Sequence, residues 1–387
     1  MGAYIRTPRL ELRIDDYINA GCIGAVFRAT ETSLGRPFAV KIVSKTPRWA
    51  LEGFFHGTVS THPNIVTLHS ISENKDFGFL VLDYCDGLDL HRSVYYSRAF
   101  AGDTNAIKHV FLQIIEAVQH CHQNTVYHRD LKLGNVLYDS RTGKAFLTDF
   151  GVSTNESRTT EYRAGTVRSM SPREFQIRLL LKSQPLTPEF TECYWKQTAD
   201  TRDGGTGYSS EANDVWSLGV MLYNLITADN LWARPTVHDP VYSDFFYNPD
   251  FWRKRAPLSL ETVALLDYIF YPPEKERISL YRLKQAVERI KTFYMSQRDL
   301  VSASRKVQES ARRHGPWTRP SREVYATSVE RREESCAVLW DARERRTSGR
   351  IAQPEHDRLY PSSAAHTPVN TPHAASYGKY IWTDYVR

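Results

Sequence analysis

The stretch His128-Arg129-Asp130-Leu131-Lys132-Leu133-Gly134-Asn135 puts a carboxylate, a cation and a carboxamide within a few residues of one another. Asp130 can accept a proton from a hydroxyl, Lys132 can neutralise a transferring phosphoryl group, and Asn135 offers a hard oxygen to a divalent metal. A second carboxylate follows in Thr148-Asp149-Phe150-Gly151, set between apolar residues and a glycine. One carboxylate as base, with a separate Asp and Asn as metal ligands, is the division of labour that phosphoryl transfer from a metal-nucleotide requires.

The order H-R-D-L-x-x-x-N followed by D-F-G is the protein-kinase signature, and on these motifs the chain resembles the eukaryotic protein kinases of Ser/Thr type. The resemblance covers residues 10–293 and implies an α+β fold in two lobes. Residues 10–84 would form a small β-rich lobe and 85–293 a larger helical one, with a basic, disordered tail over 294–387. It also implies ATP and Mg²⁺ as cofactors and protein Ser/Thr hydroxyls as acceptors. Asp130 and Lys132 would then act on the hydroxyl and the γ-phosphoryl group, and Asn135 and Asp149 would bind the metal. Thr166, in the pair Gly165-Thr166, would bond with Asp130 and Lys132, as in Ser/Thr kinases.

The elements that must hold these groups are legible around them. Residues 10–43 read as strand-turn-strand-turn-strand. Ile18-Asn19-Ala20-Gly21-Cys22-Ile23-Gly24-Ala25-Val26 fits the phosphate-covering G-x-G-x-x-G-x-V loop, with Asn19 in place of the first glycine. Phe38-Ala39-Val40-Lys41-Ile42-Val43 is an apolar strand with one lysine inside it, which is costly unless that lysine is paired. By resemblance Lys41 holds the α and β phosphates, and Glu52, on a helix from Pro47 to Ser60, is its partner. Val26, Ala39 and Leu137 would cover adenine. Leu82 would be the gatekeeper, and Asp83 and Cys85 would offer backbone groups to the base. A helix over 103–123 buries Ile107, Val110, Phe111, Ile114, Ile115, Val118 and Cys121 at helical spacing. Residues 135–138 and 145–148 form a hairpin that keeps the catalytic loop near Asp149, and Asp214 would brace that loop.

After Gly151 the chain is rich in hydroxyls: Ser153, Thr154, Ser157, Thr159, Thr160 and Tyr162. By resemblance this is the activation loop. A phosphate added here by an upstream activating kinase would be met by Arg129, while an ordinary polar loop would need none. Three departures stand out. Gly134 replaces a Glu that contacts an upstream substrate Arg in kinases preferring basic substrates. Arg173 stands where the family has Glu, opposite Arg277, its expected partner. Residues 174–204 read as an insertion, either a docking insert or a wrongly joined exon.

The hydrophobic content of 41% supports a sizeable core. No apolar run approaches the roughly 18 residues that span a bilayer, so no membrane partner is expected. The five cysteines, Cys22, Cys85, Cys121, Cys193 and Cys336, are scattered and never spaced C-x-x-C, which fits a reducing compartment, cytoplasm or nucleus. Of the net charge of +6, roughly +5 lies after residue 295, a solvated tail by first reading and a weak nucleic-acid candidate by second. The rival from another class is a pseudokinase scaffold, supported by Asn19, Arg173 and the insert, and opposed by the presence of Lys41, Glu52, Asp130, Asn135 and Asp149 together. The stretches His62-Pro63-Asn64-Ile65-Val66-Thr67-Leu68-His69, Val81-Leu82-Asp83-Tyr84-Cys85 and Asn213-Asp214-Val215-Trp216-Ser217-Leu218-Gly219 resemble fungal kinases of meiotic and nutrient signalling.

Overall fold

A computed structural model describes residues 3–20, 24–46, 48–161, 165–172, 207–270 and 274–316. The N-terminal part is an antiparallel sheet in the order β1-β2-β3-β4-β6-β5. Its strands are β1 (Tyr4–Arg6), β2 (Glu11–Ala20), β3 (Gly24–Glu31), β4 (Pro37–Ser44), β5 (Leu68–Glu73) and β6 (Phe77–Asp83). Strands β2, β3 and β4 are the three expected from residues 10–43. Strand β1 was not expected. It pairs Ile5 with Leu12 and buries Ile5, so the folded unit starts before residue 10.

Alternation along β4 gives the sheet two working faces. Phe38 and Val40 join Leu12, Ala29 and Val81 in one apolar cluster. Ala39, Lys41 and Val43 point to the other face, where Val43 packs with Leu80 and Trp49. Trp49 opens helix α1 (Trp49–Val59), whose buried Glu52, Phe55, His56 and Val59 lie on one stripe. The helix therefore brings Glu52 to the same face as Lys41.

Below the linker, β7 (Leu88–Asp89) leads into α2 (Leu90–Tyr95) and α3 (Thr104–Gln123). The Asp103 carboxylate accepts from the Asn105 and Ala106 amides and starts α3. All seven apolar residues named from its periodicity are buried. Strands β8 (Val136–Asp139) and β9 (Lys144–Leu147) form the expected hairpin. A short ladder, β10 (Arg158–Thr159) with β11 (Tyr208–Ser209), precedes α4 (Ser210–Thr227), which is buried nearly all round and capped by Ser209. The remaining helices up to residue 289 are α5 (Pro240–Tyr247), α6 (Phe251–Arg255), α7 (Leu260–Phe270) and α8 (Leu280–Arg289). Trp216, Trp232, Phe245, Trp252 and Phe270 interlock as an aromatic centre of this half.

The expected start of disorder at residue 294 is corrected. Helices α9 (Gln297–Val301) and α10 (Arg305–His314) follow, capped by Ser296 and Ser304. Val307 and Ala311 of α10 are fully buried. A Cβ on Gly102, whose φ is +68°, would meet the Pro316 Cα at 2.2 Å, so the segment runs tightly over the loop before α3. The rest of the tail, Gly21, Tyr162, Arg173 and the whole stretch 174–204 lie outside the described residues.

Candidate active site

Lys41 stands mid-strand in β4, opposite Val26 of β3 on one side and Leu80 of β6 on the other. Its ammonium donates to Glu52 Oε1 at 2.5 Å and to Asp149 Oδ1 at 2.7 Å. Burial opposes the charge on Lys41, but the two carboxylates outweigh it and raise its pKa. Burial pushes the Glu52 carboxyl up. Burial also works against Asp149, yet Lys41 holds it below the usual carboxylate range. The contacts join a strand of the sheet, helix α1 and the loop after β9. They confirm the pairing expected of Lys41 and Glu52.

The catalytic loop is braced from beneath. Asp214, at 0% exposure on α4, accepts from the backbone amides of His128 at 2.9 Å and Arg129 at 2.8 Å, and contacts His122 Nε2 at 2.9 Å. Arg129 and Asp149 both take the left-handed backbone, φ +62° and +67°. Side-chain residues pay strain for that, and packing such as the Asp214 brace is what sustains it.

On this base Lys132 donates to Asp130 Oδ2 at 2.7 Å and to Thr166 Oγ1 at 2.8 Å. Thr166 thus reaches Asp130 through Lys132. Asn135 uses its amide nitrogen on Asp130, at 2.8 Å to the carbonyl and 3.0 Å to Oδ2, which leaves its amide oxygen for another ligand. Asp130 Oδ1 is buried with no hydrogen-bond partner. An orphaned carboxylate oxygen beside an ammonium is costly unless a hydroxyl donor completes it. Asp149 keeps 38% of its side chain accessible. One orphaned acceptor, one open carboxylate and one open amide oxygen fit a metal-bound phosphate and an incoming hydroxyl.

The nucleotide-side residues fall on the expected strands. Asn19 lies in β2 opposite Val26, so the residue that replaces the first glycine is absorbed into strand pairing. Ile18 is exposed, while Val26, Ala39 and Leu137 are half-buried. Gly24 has a structural duty of its own: a Cβ there would come 2.2 Å from the Ile42 carbonyl oxygen. The Asp83 amide donates to the Thr67 carbonyl, and its carboxylate accepts from His69 Nε2 at 2.5 Å. Cys85 beside it is half-buried, and burial pushes its thiol up to about 11, so it stays protonated and inert.

The family model of the protein kinase domain matches residues 13–289. The chain belongs to the protein kinase family. This kinase is 34% identical over 294 residues to the negative regulator of sexual conjugation and meiosis of Schizosaccharomyces pombe, covering 73% of this chain and 60% of that one. It is 30% identical over 243 residues to serine/threonine-protein kinase VHS1 of Saccharomyces cerevisiae, covering 62% and 49%. A third relative, serine/threonine-protein kinase SKS1 of the same yeast, is 31% identical over 245 residues, covering 62% and 45%. The resemblance to fungal meiotic kinases is borne out, and the chain spans about half the length of these curated relatives.

Three features of the kinase escaped the sequence. Glu161 pairs with Arg129 Nη2 at 2.8 Å and also with Arg48, so Arg129, expected to meet a phosphate, meets a carboxylate instead. His56 sits in a column with Phe150, ring centroids 4.7 Å apart, and Phe150 lies 5.0 Å from His128. Arg277, expected to face Arg173, donates to the Ile269 carbonyl at 3.0 Å and the Ala212 carbonyl at 2.8 Å and lies over the Trp216 ring. The acidic character of the hydroxyl-rich stretch, Glu156 and Glu161, was the one available signal for Glu161.

Proposed function

We propose that this chain is an ATP-dependent serine/threonine protein kinase that transfers the γ-phosphoryl group to protein Ser/Thr hydroxyls in signalling. The observation that carries the reading is Lys132 held between Asp130 and Thr166, with Asp130 Oδ1 buried and unpartnered. Asp130 would orient the acceptor hydroxyl and take its proton on Oδ1. Lys132 would offset the charge that grows on the moving phosphoryl group, and Thr166 fixes the direction of its ammonium. Lys41, fixed by Glu52, would hold the α and β phosphates. Asn135 and Asp149 are the residues that would bind Mg²⁺, which supplies charge neutralisation on the phosphates when bound.

The name serine/threonine-protein kinase, borne by two of these relatives, supports the acceptor class. A role near meiotic control is suggested by the first relative's name and belongs to this proposal. The free thiols of Cys85 and Cys121 support a reducing compartment, cytoplasm or nucleus. No helix among the described residues is long and apolar enough to cross a membrane.

The test is a peptide array incubated with the full chain and Mg-ATP. Phosphate on Ser and Thr peptides, with Tyr peptides blank, is the expected result. Tyr labelling equal to Ser and Thr would sink the acceptor assignment.

A further inference from the structure

Arg129 is a buried cation that has already found its anion. Its side chain is 0% exposed, and an arginine so placed needs a compensating charge. Nε donates to the Val152 carbonyl at 2.8 Å, Nη1 to the Glu161 carbonyl at 3.3 Å and Nη2 to Glu161 Oε2 at 2.8 Å. The other oxygen of the same carboxylate accepts from Arg48 Nη1. Arg48 is the N-cap of α1, and its carbonyl accepts the Glu52 amide at 3.0 Å. One carboxylate therefore joins the loop after Gly151, the catalytic loop and the end of the helix that carries Glu52. Its backbone is fixed as well: the Glu161 amide donates to Thr159 Oγ1 and its carbonyl accepts from the Tyr208 hydroxyl.

From this geometry we infer that Glu161 is a positioning residue that substitutes for a loop phosphate, so that the kinase takes its active arrangement without modification of the segment 153–161. The inference rests on the kinase reading above and concerns the regulation of that same site. A phosphate orders such a loop by giving clustered arginines an anion with several acceptor oxygens. Here the two arginines already share the two oxygens of Glu161. A phosphate reaching Arg129 would have to displace a paired carboxylate from a guanidinium that solvent does not touch. Of the hydroxyls in the segment, Ser153, Thr154 and Thr159 are buried. Ser157 and Thr160 are exposed, and a phosphate on Thr160 would place a second anion next to Glu161.

The experiment uses the full chain, stripped with a broad-specificity protein phosphatase and checked by mass spectrometry, beside E161Q, E161D and R48A. The stripped wild type is expected to keep its rate within about twofold, and E161Q to lose about tenfold or more in kcat with a much smaller change in KM for ATP. E161D is expected to recover part of the loss. R48A combined with E161Q should cost no more than about twofold beyond E161Q alone, because both remove one shared contact. A loss of about tenfold on stripping, or E161Q within about twofold of wild type, overturns the inference. If the untreated wild type transfers no phosphate at all, the kinase reading has failed, and Glu161 is judged by hydrogen exchange of the amides in 153–161. Faster exchange in E161Q than in wild type upholds its positioning role, and equal exchange overturns it.

Discussion

Lys41 Nζ lies 2.5 Å from Glu52 Oε1, and this contact ties helix α1 to the centre of the sheet. Glu52→Gln keeps the shape and removes the charge. Lys41 retains Asp149 at 2.7 Å, so the fold is expected to survive. The ammonium would drift towards Asp149 and away from the phosphate position. The expected result is a fall of about tenfold or more in kcat/KM for ATP, at least about 1.4 kcal/mol, with the circular dichroism spectrum unchanged. Initial rates at varied ATP check it, and an unchanged kcat/KM would show that the pair is only structural.

Gly24→Ala tests whether the glycine serves the sheet. The new Cβ would meet the Ile42 carbonyl oxygen at 2.2 Å and Val43 Cγ1 at 2.8 Å. Backbone cannot yield there without parting β3 from β4. A loss of about 1–3 kcal/mol in unfolding free energy is expected from urea titration. An unshifted midpoint would mean that this end of the hairpin relaxes freely.

His56 predicts an acid-sensitive core. It is 1% exposed, its Nε2 lies 2.6 Å from the Val66 carbonyl oxygen, and burial pushes its pKa down from 6.5 to about 4. The unfolded chain therefore takes the proton first. Its contribution to stability is complete above about pH 6.5 and is lost as pH falls towards 4, a span worth about 3 kcal/mol. His62 and His314 shift in the same direction, so the comparison must be made with His56→Leu. Urea midpoints from pH 7 to pH 4.5 should fall more steeply in wild type than in the variant. Parallel curves would remove His56 as the cause.

Val307→Asp examines the segment beyond the family match. Val307 is fully buried on α10, so a carboxylate there would be taken out of water. A loss of about 2–4 kcal/mol is expected, from the lost apolar burial and the cost of an unpaired polar group. A melting temperature equal to wild type would show that α10 does not hold to the rest of the domain.

The groups that do chemistry were legible because chemistry constrains both their type and their interval. Asp130, Lys132, Asn135 and Asp149 had to appear in order, and Lys41 stood out as a charge in an apolar strand. The stripe on α3 was legible for the same kind of reason, since helical period and burial coincide. Glu161 and Arg48 were not legible. Their meeting joins residues 113 apart, and only the folded path of the loop decides it. Strand β1 is three residues long and has too few positions to show alternation. Helix α10 reads as charged and solvated, because just two of its residues, Val307 and Ala311, carry its docking face.

The central claim is that Asp130, Asp149 and Lys41 act together on one metal-bound triphosphate. Its most direct measurement is labelled-phosphate incorporation from Mg-ATP into a Ser/Thr protein substrate by the purified full chain, beside Asp149→Ala and Asp130→Asn. The account predicts transfer by wild type that stops when Mg²⁺ is chelated, with each variant reduced by a factor of about a thousand or more. Incorporation equal in all three proteins, or absent from wild type across varied metal and substrate conditions, would contradict it.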